Sequence, residues 1–320
     1  MQVRDLHVSD APGLSRLFTR CYGDTYGTRL FYDVPALAYA IEHGRLRSVV
    51  VIEKQLVGHT GISIVHEGSL VCETGNTVVD PEMRGRGLLE VLRGALSDRV
   101  RREGFAGYVH YPTTAHEIMQ RHSVANGGVE TGLMLAYVPD TTDYKGVQTR
   151  SGRIAATVAY QPLSSTPHRA VHVPERYRNI LDQMYTHIGY ERTAADAPVV
   201  WDESTHIQLI SKPARGLLQL LVSAAASGAI DELKQHLHAN TDDISVIHVD
   251  LPLDSSWVHE VVERLVANHG FMFCALLPEF QRCDLLRLQC IRVPGEAVFE
   301  PDIVNPGAQT LLALIRKEQQ

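Results

Sequence analysis

Apolar side chains recur along the first 111 residues with period two in some segments and with helical spacing in others. The period-two segments predict five strands, at residues 3–8, 48–53, 56–66, 70–79 and 107–111. The helical segments predict three helices, which follow Ser9-Asp10, span 35–43 and begin near Leu88. The resulting order, β-α-α-β-β-β-α-β, is typical of an α/β protein with a late strand–helix–strand crossover.

The rest of the chain predicts a further set of strands and helices. One amphipathic helix, with an apolar stripe from Tyr177 to Ile188, lies in a stretch rich in Pro, Ser and Thr. Three more strands and two helices follow, with the strands at 217–223, 245–251 and 271–277. In the first half, residues 79–81 are followed by a helix, Gly104-Phe105 and a strand. In the second half, residues 249–252 are followed in the same order by a helix, Gly270-Phe271 and a strand. This similarity suggests an internal duplication of one βαβ unit, with convergence on the same architecture as the alternative.

The length of 320 residues predicts two domains. We place the first at 1–150, a connecting segment with the amphipathic helix at 151–200, and the second domain at 201–320.

Charge and composition exclude several classes of protein. A net charge of -7 gives no support to general nucleic-acid binding, which requires a basic surface. No apolar run is long enough to span a membrane, and the first residues do not resemble a secretion signal, so we expect a cytoplasmic protein without a membrane partner. The five cysteines are scattered and lack zinc-site spacing, so no metal is expected. For the oligomeric state, a homodimer is the general expectation.

A short segment between the fourth predicted strand and the third predicted helix carries the most chemical information. Pro81 ends the strand because it has no N–H to donate. Gly85 and Gly87 let the backbone approach a ligand closely, and the following helix directs its unpaired N–H groups at the same point. Arg84 and Arg86 add planar positive donors suited to phosphate oxygens. The segment predicts a site for a phosphate-bearing ligand, although it matches neither a Walker A loop nor GxGxxG.

The sequence VVDPEMRGRGL at 78–88, with the strands on either side of it, resembles the acetyl-CoA-binding motif of the GNAT acyltransferase superfamily. Val79, Pro81, Arg84 and Gly87 fill the places of the family pattern V-x-P-x-x-R/Q-x-x-G-x-G/A, whereas Leu89 departs from it at the last place. The resemblance covers about residues 1–140 in element order. It implies an α/β (α+β) fold of GNAT type, in which helices flank a central mixed sheet, and we expect that fold to be duplicated.

The resemblance also implies a cofactor and a reaction. Acetyl-CoA, or another acyl-CoA, is the expected co-substrate, and a small-molecule or peptide amine attacks its thioester directly. The backbones of Val78 and Val79 are expected to pair with the pantetheine arm, and backbone N–H groups from 84 to 88 to hold the pyrophosphate. The cofactor-binding residues implied in this way are Val78, Val79, Arg84, Gly85, Arg86, Gly87 and Leu88.

The general acid is where this sequence departs from the family. Many members carry a Tyr on the helix after the next strand, but the corresponding segment, 113–128, contains none. His116, His122, Ser123 or water would have to replace it, and Tyr111 at the end of the preceding strand is a further candidate. The three histidines at 110, 116 and 122 are interpreted as separate residues, because a six-residue spacing suits neither one helix face nor a metal site.

The expected general base is Glu73, which alternation places on the same pleat face as Val79. An exposed or salt-bridged structural role for Glu73 stays open. Acceptor specificity is expected around residues 22–33, a segment that is aromatic and mixed in charge.

The second half is expected to be a degenerate GNAT-like domain, because the loop 252–256 has neither Gly nor Arg. An N-acyltransferase with its active site in residues 1–150 is therefore the leading hypothesis. The alternative is a non-catalytic acyl-CoA-binding regulatory or scaffold protein. A weaker third hypothesis is acyl transfer from an acyl carrier protein that docks on Arg84, Arg86 and Arg93.

Overall fold

A computed structural model gives the fold of residues 1–64, 68–142, 152–239, 243–293 and 301–319. The strands are β1 (Gln2–Asp5), β2 (Arg47–Ile52), β3 (Leu56–Ser63), β4 (Val71–Val79), β5 (Gly107–His110), β6 (Val129–Val138), β7 (Ile154–Pro162), β8 (Arg169–Val171), β9 (Arg192–Ala194), β10 (His206–Lys212), β11 (Leu217–Ala224), β12 (Val246–Pro252), β13 (Met272–Leu277) and β14 (Leu285–Ile291). The helices are α1 (Ala11–Tyr22), α2 (Val34–Glu42), α3 (Leu88–Arg102), α4 (Ile118–Ala125), α5 (Arg178–Ile188), α6 (Ala229–Ala239), α7 (Val258–His269) and α8 (Pro306–Glu318).

The predicted order of the first eight elements is confirmed, from β1 through α1, α2, β2, β3, β4 and α3 to β5. The last two residues of the strand predicted at 56–66 lie outside the described residues. Helix α3 forms as its pattern predicts, because Leu88, Leu92, Leu96 and Val100 are buried on one face. In the second half, α5, β11, α6, β12, α7 and β13 also form where the pattern predicts them. Within the described ranges, no helix combines the length and the apolar character needed to cross a membrane.

Twelve of the described strands form one mixed sheet in the order β1-β2-β3-β4-β5-β7-β6-β13-β14-β12-β11-β10. The run β3-β4-β5-β7-β6 and the run β10-β11-β12-β14-β13 have the same strand order, and they meet at β6 and β13. In each run one pair of neighbouring strands is parallel, β4 with β5 and β11 with β12. The crossover helices of these pairs are α3 and α6. A duplication is consistent with this shared order and stays a prediction.

The strand pairing corrects which loops correspond between the two halves. The sequence comparison matched β12–α7–β13 with β4–α3–β5, but β14 lies between β12 and β13, so that match is wrong. Helix α6 occupies the place of α3, and the counterpart of the loop before α3 is therefore 225–228, after β11. The loop 252–256, on which the expected degeneracy rested, corresponds to a different connection.

The two halves of the sheet are joined by a side chain as well as by backbone. Gly132 of β6 is the register partner of Ala275 of β13. Next to them the buried Gln289 of β14 accepts a hydrogen bond from Leu135 N at 2.8 Å. Its amide nitrogen donates to Leu133 O and Phe273 O, both at 2.9 Å. This one amide therefore connects β6, β13 and β14.

The segment 151–200 contains more than a connection. Its strand β7 is inserted between β5 and β6, and all but one of the residues of β7 are buried. The amphipathic helix α5 is confirmed, and its buried face includes Leu181, Met184 and Ile188. The boundary at residue 150 lies outside the described residues, and the division at 150 and 200 stays a prediction.

Candidate active site

The cleft of the first half opens where two parallel strands separate. The ladder between β4 and β5 pairs Val71 with Gly107 and ends where Glu73 faces Val109. Strand β5 stops at His110, whereas β4 continues to Val79. Residues 74–79 therefore extend past the last partner on β5, and a ligand can reach the backbone groups of that edge.

A bulge in β4 sets the direction of this edge. The register shifts between His59 and Gly61, whose partners are Val78 and Gly75. Asn76, inside the bulge, has a φ of 53°. His59 Nδ1 donates to the carbonyl oxygen of Asn76 at 2.8 Å, and Tyr26 donates from its hydroxyl to Asn76 Oδ1 at 2.6 Å. Burial lowers the pKa of His59 to about 4, so the ring is neutral at neutral pH.

The bulge contradicts one expectation about Glu73. One extra residue reverses the alternation, so Glu73 shares its face with Val78 and not with Val79. Val78 packs in the cluster formed with α1 and α2, whereas Val79 packs against Leu88 and its neighbours on α3. The prediction of a shared face for Glu73 and Val79 is therefore wrong. Glu73 points to the side of the sheet that carries α1 and α2.

The loop before α3 has the geometry of an anion site. Gly85 and Gly87 have φ values of 75° and 74°, in the left-handed region that favours glycine, and Gly87 is the N-cap of α3. Arg84 and Arg86 are exposed, while Leu88 is buried beneath the loop. The loop therefore presents positive side chains and the N-terminal end of α3 to the open end of the cleft.

The loop is held from below by a buried carboxylate. Asp80 accepts from Arg20 Nε at 2.7 Å and from the Glu82 N–H at 3.1 Å. Asp80 is 2% exposed, so this pair fixes the end of β4 against α1.

The cleft, of about 250 Å³, brings the four predicted catalytic residues together. Its lining includes Glu73, Tyr111, His116 and Ser123. His110 and His122 also line it, so the three histidines interpreted as separate share one site. In the described part of the chain, no three His, Cys, Asp or Glu side chains lie close enough to hold a metal ion.

All three histidines are held neutral at neutral pH. Burial, and next the charge of His122, lower the pKa of His110 to about 4. The pKa of His116 is lowered by burial and next by the charge of Arg84. His122 Nδ1 lies 2.9 Å from Glu90 Oε1, but burial outweighs this carboxylate and lowers the pKa of His122.

Two hydroxyl groups stay protonated beside these rings. Burial, and next the charge of Glu73, raise the pKa of Tyr111 well above its usual value. Ser123, on α4, is 3% exposed, and its Oγ has no hydrogen-bond partner among the described residues. Either group can donate a hydrogen bond into the cleft.

The second half of the chain supplies part of the wall, which the sequence did not predict. Arg215, in the turn between β10 and β11, lines the main cleft and lies over the ring of Tyr137, 4.7 Å from its centroid. An adjoining pocket of about 70 Å³ is lined by Glu73 and Tyr111 from the first half and by Lys212 from the second. No local pattern marks Lys212 or Arg215, because only the folding of the distant β10–β11 hairpin brings them here.

The first half thus combines a strand edge separated from its parallel neighbour with a glycine-arginine loop at the N-terminus of the crossover helix. The model of the Acetyltransferase (GNAT) family matches residues 11–119. Residues 11–119 are therefore similar to the domain that defines this family.

Solved structures resemble about half of the chain. The ribosomal-protein-S18-alanine N-acetyltransferase from Escherichia coli is 17% identical, with 52% of this chain and 96% of that one covered at a TM-score of 0.41. The putative acetyltransferase YncA from Salmonella typhimurium, solved with acetyl-CoA, is 16% identical. The match covers 52% of this chain and 96% of that one, with a TM-score of 0.42. A phosphinothricin acetyltransferase from Sinorhizobium meliloti in complex with acetyl-CoA is 19% identical. The match covers 51% of this chain and 88% of that one, with a TM-score of 0.41. No curated protein matches the sequence.

Proposed function

We propose that the protein is an acyl-CoA-dependent N-acyltransferase, with acetyl-CoA as the donor and an amine as the acceptor. The observation that carries this proposal is the end of the β4–β5 ladder at Glu73 and Val109, while β4 runs on to Val79. The open edge can pair with the amide groups of a pantetheine arm, as a third strand would. The match to the Acetyltransferase (GNAT) family supports the same reaction.

The phosphate end of the cofactor is assigned to the loop before α3. Backbone N–H groups from 84 to 88 would hold the pyrophosphate, because they are directed by Gly85 and Gly87 towards the end of the helix. Arg84 and Arg86, which are exposed there, would add charge-assisted hydrogen bonds.

Glu73 is the proposed general base. It takes a proton from the acceptor ammonium, directly or through one water, and the free amine nitrogen attacks the thioester carbonyl carbon. The nitrogen of the tetrahedral intermediate then loses its extra proton and the C–S bond breaks. The leaving thiolate takes a proton from a neighbouring donor, and the proton released by the nitrogen restores that donor.

Tyr111 is the proposed proton donor, because its phenol keeps its proton and lines the cleft beside Glu73. His116 is a poorer choice, since its imidazole is neutral and is influenced by Arg84 at the other end. Ser123 is the second candidate, because its hydroxyl group is buried in the cleft wall.

Calorimetric titration with acetyl-CoA, followed by thiol release over a panel of amines, tests the proposal. Gly87→Glu should abolish binding, because the new carboxylate would stand where the pyrophosphate is held. Gly189→Glu is the matched control, since Gly189 also has a left-handed φ, of 79°, and open space around it, but lies at the end of α5. Unchanged binding in Gly87→Glu would show that the cofactor is misplaced.

The alternative function has its own signature. Acetyl-CoA binding without thiol release from any amine would favour a non-catalytic acyl-CoA-binding protein. Thiol release only with an acyl carrier protein as donor would favour transfer from that carrier.

A further inference from the structure

Lys212, the last residue of β10, brings a primary amine from the second half of the chain to the proposed base. It lines the pocket of about 70 Å³ together with Glu73 and Tyr111, and these two residues also line the main cleft. The pocket has room for a group of only a few atoms, so the side chains on its walls are near neighbours. The amine of Lys212 is therefore close to the place proposed for the amine of the acceptor.

The turn that follows Lys212 is fixed against β6. Arg153 Nη2 donates to the carbonyl oxygen of Arg215 in this turn, and Arg153 Nε donates to Ala136 O on β6 at 2.8 Å. Arg153 is buried, so water does not compete for these two hydrogen bonds. The backbone that carries Lys212 is thereby held at the wall of the cleft.

The charges on the wall of the small pocket balance, but two of them are not tied to each other. Asp250 accepts from Arg287 Nε at 2.6 Å and from Arg287 Nη2 at 2.7 Å, so this pair is complete in itself. The remaining charged side chains of the pocket are Lys212 and Glu73. Among the described residues, no hydrogen bond or salt bridge ends on the side chain of either. The carboxylate is therefore available to take a proton from the ammonium group.

Burial also makes the amine of Lys212 a better nucleophile. It lowers the pKa of Lys212 and outweighs the charge of Glu73, which raises that pKa. A larger share of Lys212 is therefore uncharged than of an exposed lysine. The uncharged amine is the form that attacks a carbonyl carbon.

We propose that Lys212 is an internal acceptor, whose Nζ attacks the thioester of a bound acyl-CoA when no amine substrate is present. This inference rests on the proposed N-acyltransferase function. Glu73 takes one proton from the Lys212 ammonium, the N–C bond forms and the C–S bond breaks. The thiolate takes a proton from Tyr111, the second proton of the nitrogen restores Tyr111, and Glu73 gives its proton to water.

Acylation of Lys212 would change the site where the acceptor binds. The new amide is uncharged, and its acyl group would take up the small pocket beside Glu73. A bound amine substrate would compete with Lys212 for the same thioester. Acylated Lys212 would therefore accumulate when the donor is in excess over the acceptor.

Incubation of the full chain with acetyl-CoA that carries a deuterated methyl group, without any amine, tests the inference by mass spectrometry. Labelled acetyl should appear on Lys212 at a rate that does not depend on protein concentration. This rate should exceed that at Lys54, an exposed lysine in the β2–β3 turn, by about tenfold or more, because the thioester is held near Lys212.

Four variants identify the origin of the label. Lys212→Arg should remove it from this position, since a guanidinium group stays protonated, and Lys54→Arg is the matched control that should be labelled on Lys212 as in the wild type. Glu73→Gln should slow the labelling of Lys212. Gly87→Glu should reduce it to the rate at Lys54, because acetyl-CoA is no longer held in the cleft.

Three outcomes would overturn the inference: no label on Lys212, a rate no higher than at Lys54, or an equally fast rate in Gly87→Glu, which would make the labelling a reaction with free acetyl-CoA. Thiol release from an added amine without label on Lys212 would contradict the inference and leave the proposed function standing. Label on Lys212 without turnover of any added amine would support the internal acceptor and contradict the proposed function. Absence of acetyl-CoA binding would overturn both.

Discussion

His59 Nδ1 donates to the carbonyl oxygen of Asn76 at 2.8 Å, and this bond joins the middle of β3 to the bulge of β4. Since that carbonyl accepts, Nδ1 carries the proton and Nε2 can accept from the Ser48 hydroxyl, 2.9 Å away. His59 is fully buried, so the ring is a fixed support under the point where β4 turns away from β5.

A β-branched residue should not fit at position 76. Asn76→Val would force a branched side chain into a φ of 53° and would lose the hydrogen bond from Tyr26, so we expect about 2 kcal/mol less stability and weaker acetyl-CoA binding. Asn76→Gly keeps the backbone conformation and should bind nearly as well as the wild type. Thermal unfolding and calorimetry separate the two variants, and equal binding by Asn76→Val would argue against a role for the bulge.

Stability should fall in mild acid because of His59. In the unfolded protein the His59 ring has a pKa of 6.5, whereas burial in the folded protein lowers this pKa to about 4. The stabilisation is therefore complete above pH 6.5 and is lost progressively as pH falls from 6.5 to 4, by about 3 kcal/mol in all. His59→Gln keeps a donor and an acceptor but does not titrate, so its unfolding free energy should depend less on pH. Equal pH dependence in denaturant titrations would contradict this assignment.

Replacing Glu73 should affect catalysis and leave cofactor binding intact. Glu73→Gln removes the proposed base, so kcat should fall by about 10²-fold or more, and the loss of activity towards acidic pH should flatten. Tyr111→Phe should also lower kcat, but its activity should still fall towards acidic pH as in the wild type. If the pH–rate profile of Glu73→Gln matches the wild type, another group is the base. If Ser123→Ala lowers kcat and Tyr111→Phe does not, the proton donor is Ser123.

The joint between the two halves should depend on Gln289. Gln289→Leu removes three hydrogen bonds to buried backbone groups, and we expect a loss of about 3 kcal/mol. Gln208→Leu, at an exposed position of β10, is the matched control and should change stability little. Denaturant unfolding measures both variants, and similar midpoints would show that the joint does not need this amide.

Sequence reasoning succeeded where the information is local. The loop from Pro81 to Leu88 and the helix after it form a contiguous segment, so periodicity predicted the element order there and the motif carried the resemblance to the family. Sequence reasoning failed where one extra residue in a strand reverses the alternation of its side chains. The bulge at Asn76 moved Glu73 to the opposite face from Val79, and no residue pattern marks a non-glycine bulge.

The pairing of strands that are distant in the chain could not be predicted from the sequence, for a different reason. Strands β6 and β7 are buried on both faces, so they lack the alternation that predicts a half-exposed strand. The match of 249–252 with 79–81 was wrong because β12 is adjacent to β11 and not to β13, which only the sheet order reveals. Lys212 and Arg215 reach the cleft through the same sheet order.

The meeting of β6 and β13 also decides where the sheet ends. Because β6 and β13 pair with each other, the edge strands of the sheet, among the strands described, are β1 and β10. The first has four residues and the second is rich in polar side chains. A chain shortened to its first half would uncover β6, a ten-residue strand that is almost entirely buried in the intact protein. Such an uncovered strand invites aggregation, so we expect the first half to need the second half in order to be produced as a soluble protein.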